Sequence, residues 1–228
     1  MTDLPGWKLE FNENFTKDVA EGSFLKHYSN FDAYSYPTKD TSRNGTYQPN
    51  ILSVSNGNLV MNLHTNSAGN HLVAAPLPKV NHGRTDQLYG RYSVRFKADP
   101  VAGYKTAWLL WPQSNNWRDG EIDFPEGNLT SSIAAFSHYT GTPTSQTAFS
   151  TGMNFSQWHV ATTEWRPGRV SFYMDDKLIG TATKNIPSKP MHWVLQTETQ
   201  LSGGAPSSRA SGHVYVDWVA AWAYAPNS

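Results

Sequence analysis

The chain has 228 residues, and its 18 Lys plus Arg balance its 18 Asp plus Glu, so there is no net field to draw in a nucleic acid or an anionic membrane. Cysteine is absent, which excludes a disulfide framework, a thiolate nucleophile and a cysteine zinc site. All-β sandwiches of 200 to 250 residues commonly form one unit, so a single domain over residues 1–228 is expected.

In chain order, the opening Met1-Thr-Asp-Leu-Pro-Gly6 has neither the basic nor the apolar region of a secretory leader. No later run approaches the ~18 apolar residues that span a bilayer. Helix-period stretches are scarce. Short runs of period-2 alternation recur instead between Gly, Pro, Asn and Asp clusters, the pattern of a sandwich or barrel. Leu59, Met61 and Leu63 form one apolar set; Tyr92, Val94 and Phe96 a second; Val170, Phe172 and Met174 a third, each expected to face the core. Asp175-Asp176-Lys177 predicts a hairpin turn from the third set to Leu178–Thr183. Val214–Tyr224 reads as a long closing strand, preceded by a polar loop from Ser202 to Gly212 that is too short to link domains.

The segment richest in chemistry is Trp117-Arg-Asp-Gly-Glu121-Ile-Asp123-Phe-Pro-Glu126-Gly127. Alternation along a strand puts Glu121 and Asp123 on one face, and extends that face to Trp117 and Asp119 if the strand begins so early. Glu126 is out of step by one. Pro125 cannot donate to a ladder and prolines within sheets favour edges and bulges, so a bulge at Phe124-Pro125 would return Glu126 to the shared face. Three crowded carboxyls repel one another, which holds one protonated near neutrality while another stays ionised. That division into acid and nucleophile is what glycosidic cleavage requires. Like charges add nothing to sheet stability, so a crowded acidic stripe argues for function over a solvated strand face.

These residues resemble the signature of glycoside hydrolase family 16, whose active strand carries Glu-x-Asp-x-x-Glu in its bulged form. Supporting matches are Tyr89-Gly-Arg-Tyr-Ser-Val-Arg-Phe-Lys97, Ala107-Trp-Leu-Leu-Trp-Pro112, Trp158-His159 through Glu164-Trp165, Phe172-Tyr173 and Val216-Asp217-Trp218-Val219. The resemblance implies a concanavalin-like β-jelly-roll sandwich of two antiparallel sheets with a concave substrate cleft. It further implies retaining endo-hydrolysis with Glu121 as nucleophile, Glu126 as acid/base and Asp123 as the assisting carboxylate. The bulged motif is that of the laminarinase-like members, so β-1,3-glucan is expected first, mixed-linkage glucan second and galactans third; a neutral chain disfavours sulfated carrageenan. Phe124-Pro125 and Gln196-Thr-Glu198-Thr-Gln200 depart from the family's usual residues. A glucan-binding lectin on the same fold and a transglycosylase are the alternatives.

Trp117 is the expected sugar platform, with Trp108, Trp111, Trp193 and Tyr104 as weaker candidates. Arg84 resembles a family position that binds sugar hydroxyls, and His138, on the strand after the catalytic one, is expected beside the cleft. Glu198 is placed near the cleft without a catalytic role. Hydrolysis by two carboxylates requires no cofactor, and there is no HExxH for catalytic zinc. The resemblance implies a structural calcium near Gly57 and Asp217, bound through oxygen ligands. A polysaccharide substrate, a monomeric chain and a secreted, bacterial origin complete the expectations. The last rests on Asn128, a sequon beside the motif where a glycan would crowd the cleft.

Overall fold

The computed structural model describes residues 1–227. Two sheets face each other. One has ten strands and the other six, and the only helix among the described residues beyond short 3-10 turns is Phe24–His27. The six-stranded sheet runs in the order Thr142–Asn154, Ser132–Tyr139, Glu121–Asn128, Tyr104–Pro112, Met191–Thr199 and Asp86–Gln87, every pair antiparallel. In the ten-stranded sheet Gly90–Ala98 lies between His159–Arg166 and Gly212–Tyr224, and the latter also pairs with Asn58–Thr65. This is the expected jelly-roll sandwich, with two additions. Gly45–Tyr47 and His71–Val73 form a parallel pair, and Phe31–Ala33 with Pro76–Pro78 forms a separate two-stranded ribbon.

The three alternating sets converge between the sheets. Leu59, Met61, Leu63, Tyr92, Val94, Phe96, Val170, Phe172 and Met174 are all buried. Each such side chain contributes roughly 1.5–3 kcal/mol by leaving water. Aromatic contacts stitch the layers: Phe96 meets Trp108 edge-on at 5.2 Å between ring centres, Tyr92 meets Trp193 at 5.4 Å, and Phe124 meets Phe172 at 5.5 Å. The hairpin after Met174 turns on Asp175 and Asp176, both at positive φ. Acidic residues tolerate that left-handed conformation better than most, and a two-residue turn of this kind matches the twist of the flanking strands.

Packing against the ten-stranded sheet consumes one face of the six-stranded sheet. The other face stays free. On Tyr104–Pro112 the inward residues are Tyr104, Thr106, Trp108 and Leu110, leaving Lys105, Ala107, Leu109 and Trp111 on the outward, concave side. In register with them stand Glu198, Gln196, Val194 and His192 of the neighbouring strand.

Candidate active site

Glu121–Asn128 crosses the middle of the concave sheet, and its register contains the bulge. Against Tyr104–Pro112, Asp123 pairs with Leu109 and Glu126 with Ala107; against Ser132–Tyr139, Asp123 pairs with Phe136 and Glu126 with Ala134. Three steps on Glu121–Asn128 thus oppose two on each neighbour, and the added residue returns Glu126 to the face of Glu121 and Asp123. Phe124, freed from that face, drops into the core, and the Phe124–Pro125 peptide is cis.

Trp117 arrives by a different route from strand parity. It opens a 3-10 turn, Trp117–Asp119, capped by the Asn116 side chain accepting from the Arg118 amide. The turn ends at Gly120 with φ +89°, where a Cβ would sit 2.7 Å from Pro187 Cγ, so both conformation and space demand glycine. Lys189 and Ser114 bind Asp119 from outside, and this pairing, led by Lys189, holds its carboxyl below the usual range. The result aims the Trp117 indole N–H at Glu121 Oε2, 2.5 Å away, with the ring 38% exposed over the cleft.

Asp123 is fully enclosed. Burial pushes its carboxyl well above the ordinary range, and the neighbouring Glu121 and Glu126 push it in the same direction. Burial also raises Glu121, against hydrogen bonds from Asp123 and Trp117 and the attraction of His138 that favour its anion. Asp123 is therefore the carboxyl that keeps a proton, and it donates that proton toward an ionised Glu121. Because the two interact strongly, they titrate as a pair. His138 stands opposite Glu121 in register, donates from Nδ1 to the Pro143 carbonyl at 2.7 Å, and presents Nε2 to Asp123 Oδ2 at 3.3 Å.

The cleft forms a row of three hollows. The largest, about 550 Å³, lies between Glu121 and a loop, and includes Tyr34, Trp111, Asn115 and His192 in its wall. The second, about 390 Å³, contains all three acids with Trp117 and His138. The third, about 220 Å³, extends beyond Glu126 to Asn128 and Leu201. The loop over the first hollow is clamped to the sheet by buried Asp40, whose carboxylate accepts from the Gly45 amide at 3.0 Å, the Thr199 amide at 2.8 Å and the Thr199 hydroxyl at 2.6 Å. Gly45 is needed there because any Cβ would collide with that carboxylate.

Of the expected sugar contacts, Trp117, Trp111 and His138 line the cleft. Trp108 and Trp193, with Tyr104, do not. They point inward, fully buried between the sheets, because their positions on the strands have core parity. Arg84 lines none of the three hollows; its guanidinium makes two bonds to Asp86, at 3.2 and 2.8 Å. At the expected calcium position the Asp217 carboxylate is paired with Arg95, and the one gathering of three acidic or histidine ligand atoms among the described residues is Glu121, Asp123 and His138 in the cleft. A cation held there by main-chain carbonyls and this one acid would compete with the Arg95 guanidinium for the Asp217 carboxylate. Sequence reasoning missed Lys105, whose ammonium lies 2.5 Å from Glu126, while Glu198, expected near the cleft without a catalytic role, does line it. The available signal was a single charged residue within a strand otherwise made of apolar and aromatic residues and one threonine.

A family model described as glycosyl hydrolases family 16 matches residues 39–220, most of the chain. The chain belongs to that family. Among curated relatives, a beta-glucanase of Acetivibrio thermocellus is 28% identical over 182 residues, covering 75% of this chain and 53% of its own length. The chain thus spans about half of that relative. A beta-glucanase of Paenibacillus macerans is 28% identical, over 79% of this chain and 78% of its own. The fold is shared with the catalytic domain of an endo-1,3-beta-glucanase (laminarinase) from Thermotoga petrophila, with TM-score 0.73, 19% identity, and coverage of 96% and 98% of the two chains. It is shared also with SCLam, a non-specific endo-beta-1,3(4)-glucanase, with TM-score 0.77, 18% identity, and coverage of 98% and 94%.

Proposed function

We propose that the protein is a retaining endo-glucanase that cleaves internal β-1,3 linkages of glucans and accepts mixed β-1,3-1,4 chains. The observation that carries this reading is the bulge that brings Glu121, Asp123 and Glu126 to one face of the cleft strand. Glu121, the ionised member of its pair with Asp123, attacks the anomeric carbon while Glu126 gives its proton to the departing glycosidic oxygen. Water then loses a proton to Glu126 and displaces Glu121 from the covalent ester, restoring both carboxyls. Asp123 and the Trp117 N–H hold the Glu121 carboxylate in aim, and the exposed Trp117 ring offers a flat face to a sugar. A relative and two solved neighbours named for β-glucan cleavage support the choice of substrate. Clustered carboxyls in the cleft disfavour sulfated galactans. A polymeric substrate is met outside the cell, so we place the protein among secreted enzymes acting as monomers.

The test is release of reducing ends, with product sizing, from laminarin, lichenan, agarose and carrageenan by the wild type and Glu121→Gln. Internal fragments from laminarin, with the β configuration retained in the first product and release abolished in the variant, are the expected result. Wild-type turnover in Glu121→Gln would overturn the assignment, and binding of laminarin without cleavage would make the protein a lectin.

A further inference from the structure

The cleft contains a buried cation that this mechanism has not used. Lys105 rises from the concave side of Tyr104–Pro112 with its side chain only 6% exposed, and no buried ammonium survives without partners. Its Nζ lies 2.5 Å from Glu126 Oε1 and 3.9 Å from Glu198 Oε2. Glu198 stands directly opposite it in register on Met191–Thr199. The other oxygen of Glu198 is occupied: Oε1 accepts from the Thr41 amide at 3.0 Å, the Thr41 hydroxyl at 2.6 Å and the Tyr47 hydroxyl at 3.3 Å. Three donors hold Glu198 in place and leave its Oε2 facing Lys105.

We infer that Lys105 is a positioning residue for the acid/base, its ammonium shared between Glu126 and Glu198 so that Glu126 can release and recover its proton without stranding a buried charge. The inference rests on the roles just proposed for Glu121 and Glu126. While Glu126 holds a proton, the ammonium needs another anion, and a flexible four-carbon stem brings it from 3.9 Å into hydrogen-bond range of Glu198 with a shift of about 1 Å. Once Glu126 has passed its proton to the leaving oxygen, the ammonium returns to the new carboxylate and aims it at the incoming water. Lys105 keeps its three protons throughout. The acids around it favour its charged form against the burial that opposes it.

The groups facing Glu126 are Lys105 from one neighbouring strand, Glu198 from the strand beyond, Glu121 and Asp123 from its own, and His138, through Asp123, from the other side. Removing the cation and removing the distal anion must therefore act on Glu126 in opposite senses. The experiment is the pH profile of kcat/KM on laminarin for the wild type, Lys105→Met, Lys105→Arg and Glu198→Gln, beside 2,4-dinitrophenyl β-laminaribioside, whose leaving group needs no acid. The basic limb on laminarin is expected to move up by about one pH unit in Lys105→Met, to move down in Glu198→Gln and to stay within a few tenths in Lys105→Arg, with no such limb on the aryl glycoside. Limbs that stay fixed, or move in the same direction, in folded variants overturn the inference. Glu198→Gln is isosteric and carries the test alone should Lys105→Met fail to fold. A wild type that cleaves laminarin and is silenced by Glu121→Gln, yet shows unmoved limbs, refutes only the role of Lys105; active Glu121→Gln refutes the underlying mechanism.

Discussion

Replacing Trp117 by Phe separates the two tasks of that residue, because it keeps an aromatic face over the cleft and deletes the N–H that reaches Glu121 Oε2 at 2.5 Å. A hydrogen bond to a charged group is worth about 1.5–3 kcal/mol when protected from solvent. Trp117 is 38% exposed, so the lower end applies, roughly 1.4 kcal/mol or a factor of ten. The donor favours the anion of Glu121, and its loss therefore makes the Glu121–Asp123 pair harder to ionise. The acid limb of kcat/KM on laminarin should move up by about one pH unit, with rates on that limb falling about tenfold and KM little changed. Trp117→Ala, which removes the ring as well, should add a rise in KM. An unmoved acid limb in Trp117→Phe would refute the claim that the indole tunes the nucleophile.

Glu121 and Asp123 are both raised by burial, so the stability they contribute is present in acid and is lost as the pH climbs through their folded-state ionisations. Glu121→Gln and Asp123→Asn should accordingly melt higher than the wild type by a few degrees at pH 8, with the gap closing near pH 4, as calorimetry at the two pH values would show. Trp108→Ala should cost about 3–5 kcal/mol in denaturant unfolding because the residue is wholly buried, whereas Trp111→Ala should leave stability within about 1 kcal/mol and raise KM for laminarin. Exhaustive chelation should leave kcat on laminarin unchanged, and a calcium-dependent rise in Tm would show an ion displacing Arg95 from Asp217.

The architecture was legible where one side of a strand is dry and the other wet. At Leu59–Leu63 and Tyr92–Phe96 the alternation itself announces which residues meet in the core. Within Tyr104–Pro112, the stretch from Ala107 to Pro112 is apolar or aromatic on both faces, so nothing in its pattern there distinguishes inward Trp108 from cleft-lining Trp111. The bulge at Phe124-Pro125 was readable because Pro125 lacks a donor and two acids fall out of phase around it. The position of Trp117 was anticipated for a reason the fold does not use, since a 3-10 turn ending at Gly120 carries it rather than the strand. Lys105 and Glu198 lie 93 residues apart and meet only through strand register, a pairing that local pattern does not encode.

The Asp40 clamp bears on how the cleft can change over time. Its bonds engage the main chain of Gly45 and the backbone and hydroxyl of Thr199, so the loop's path is set by contacts between the loop and the sheet and not by a ligand. Lys39 and Thr41, carried on that path, line the largest hollow. The loop thus acts as a fixed rail on which the Lys39 side chain can be exchanged to alter what the hollow accepts, whereas Thr41, bonded to Glu198, belongs to the rail itself. It also bears its ordering cost when the chain folds and not when a polymer arrives, which leaves more of the contact free energy available for affinity.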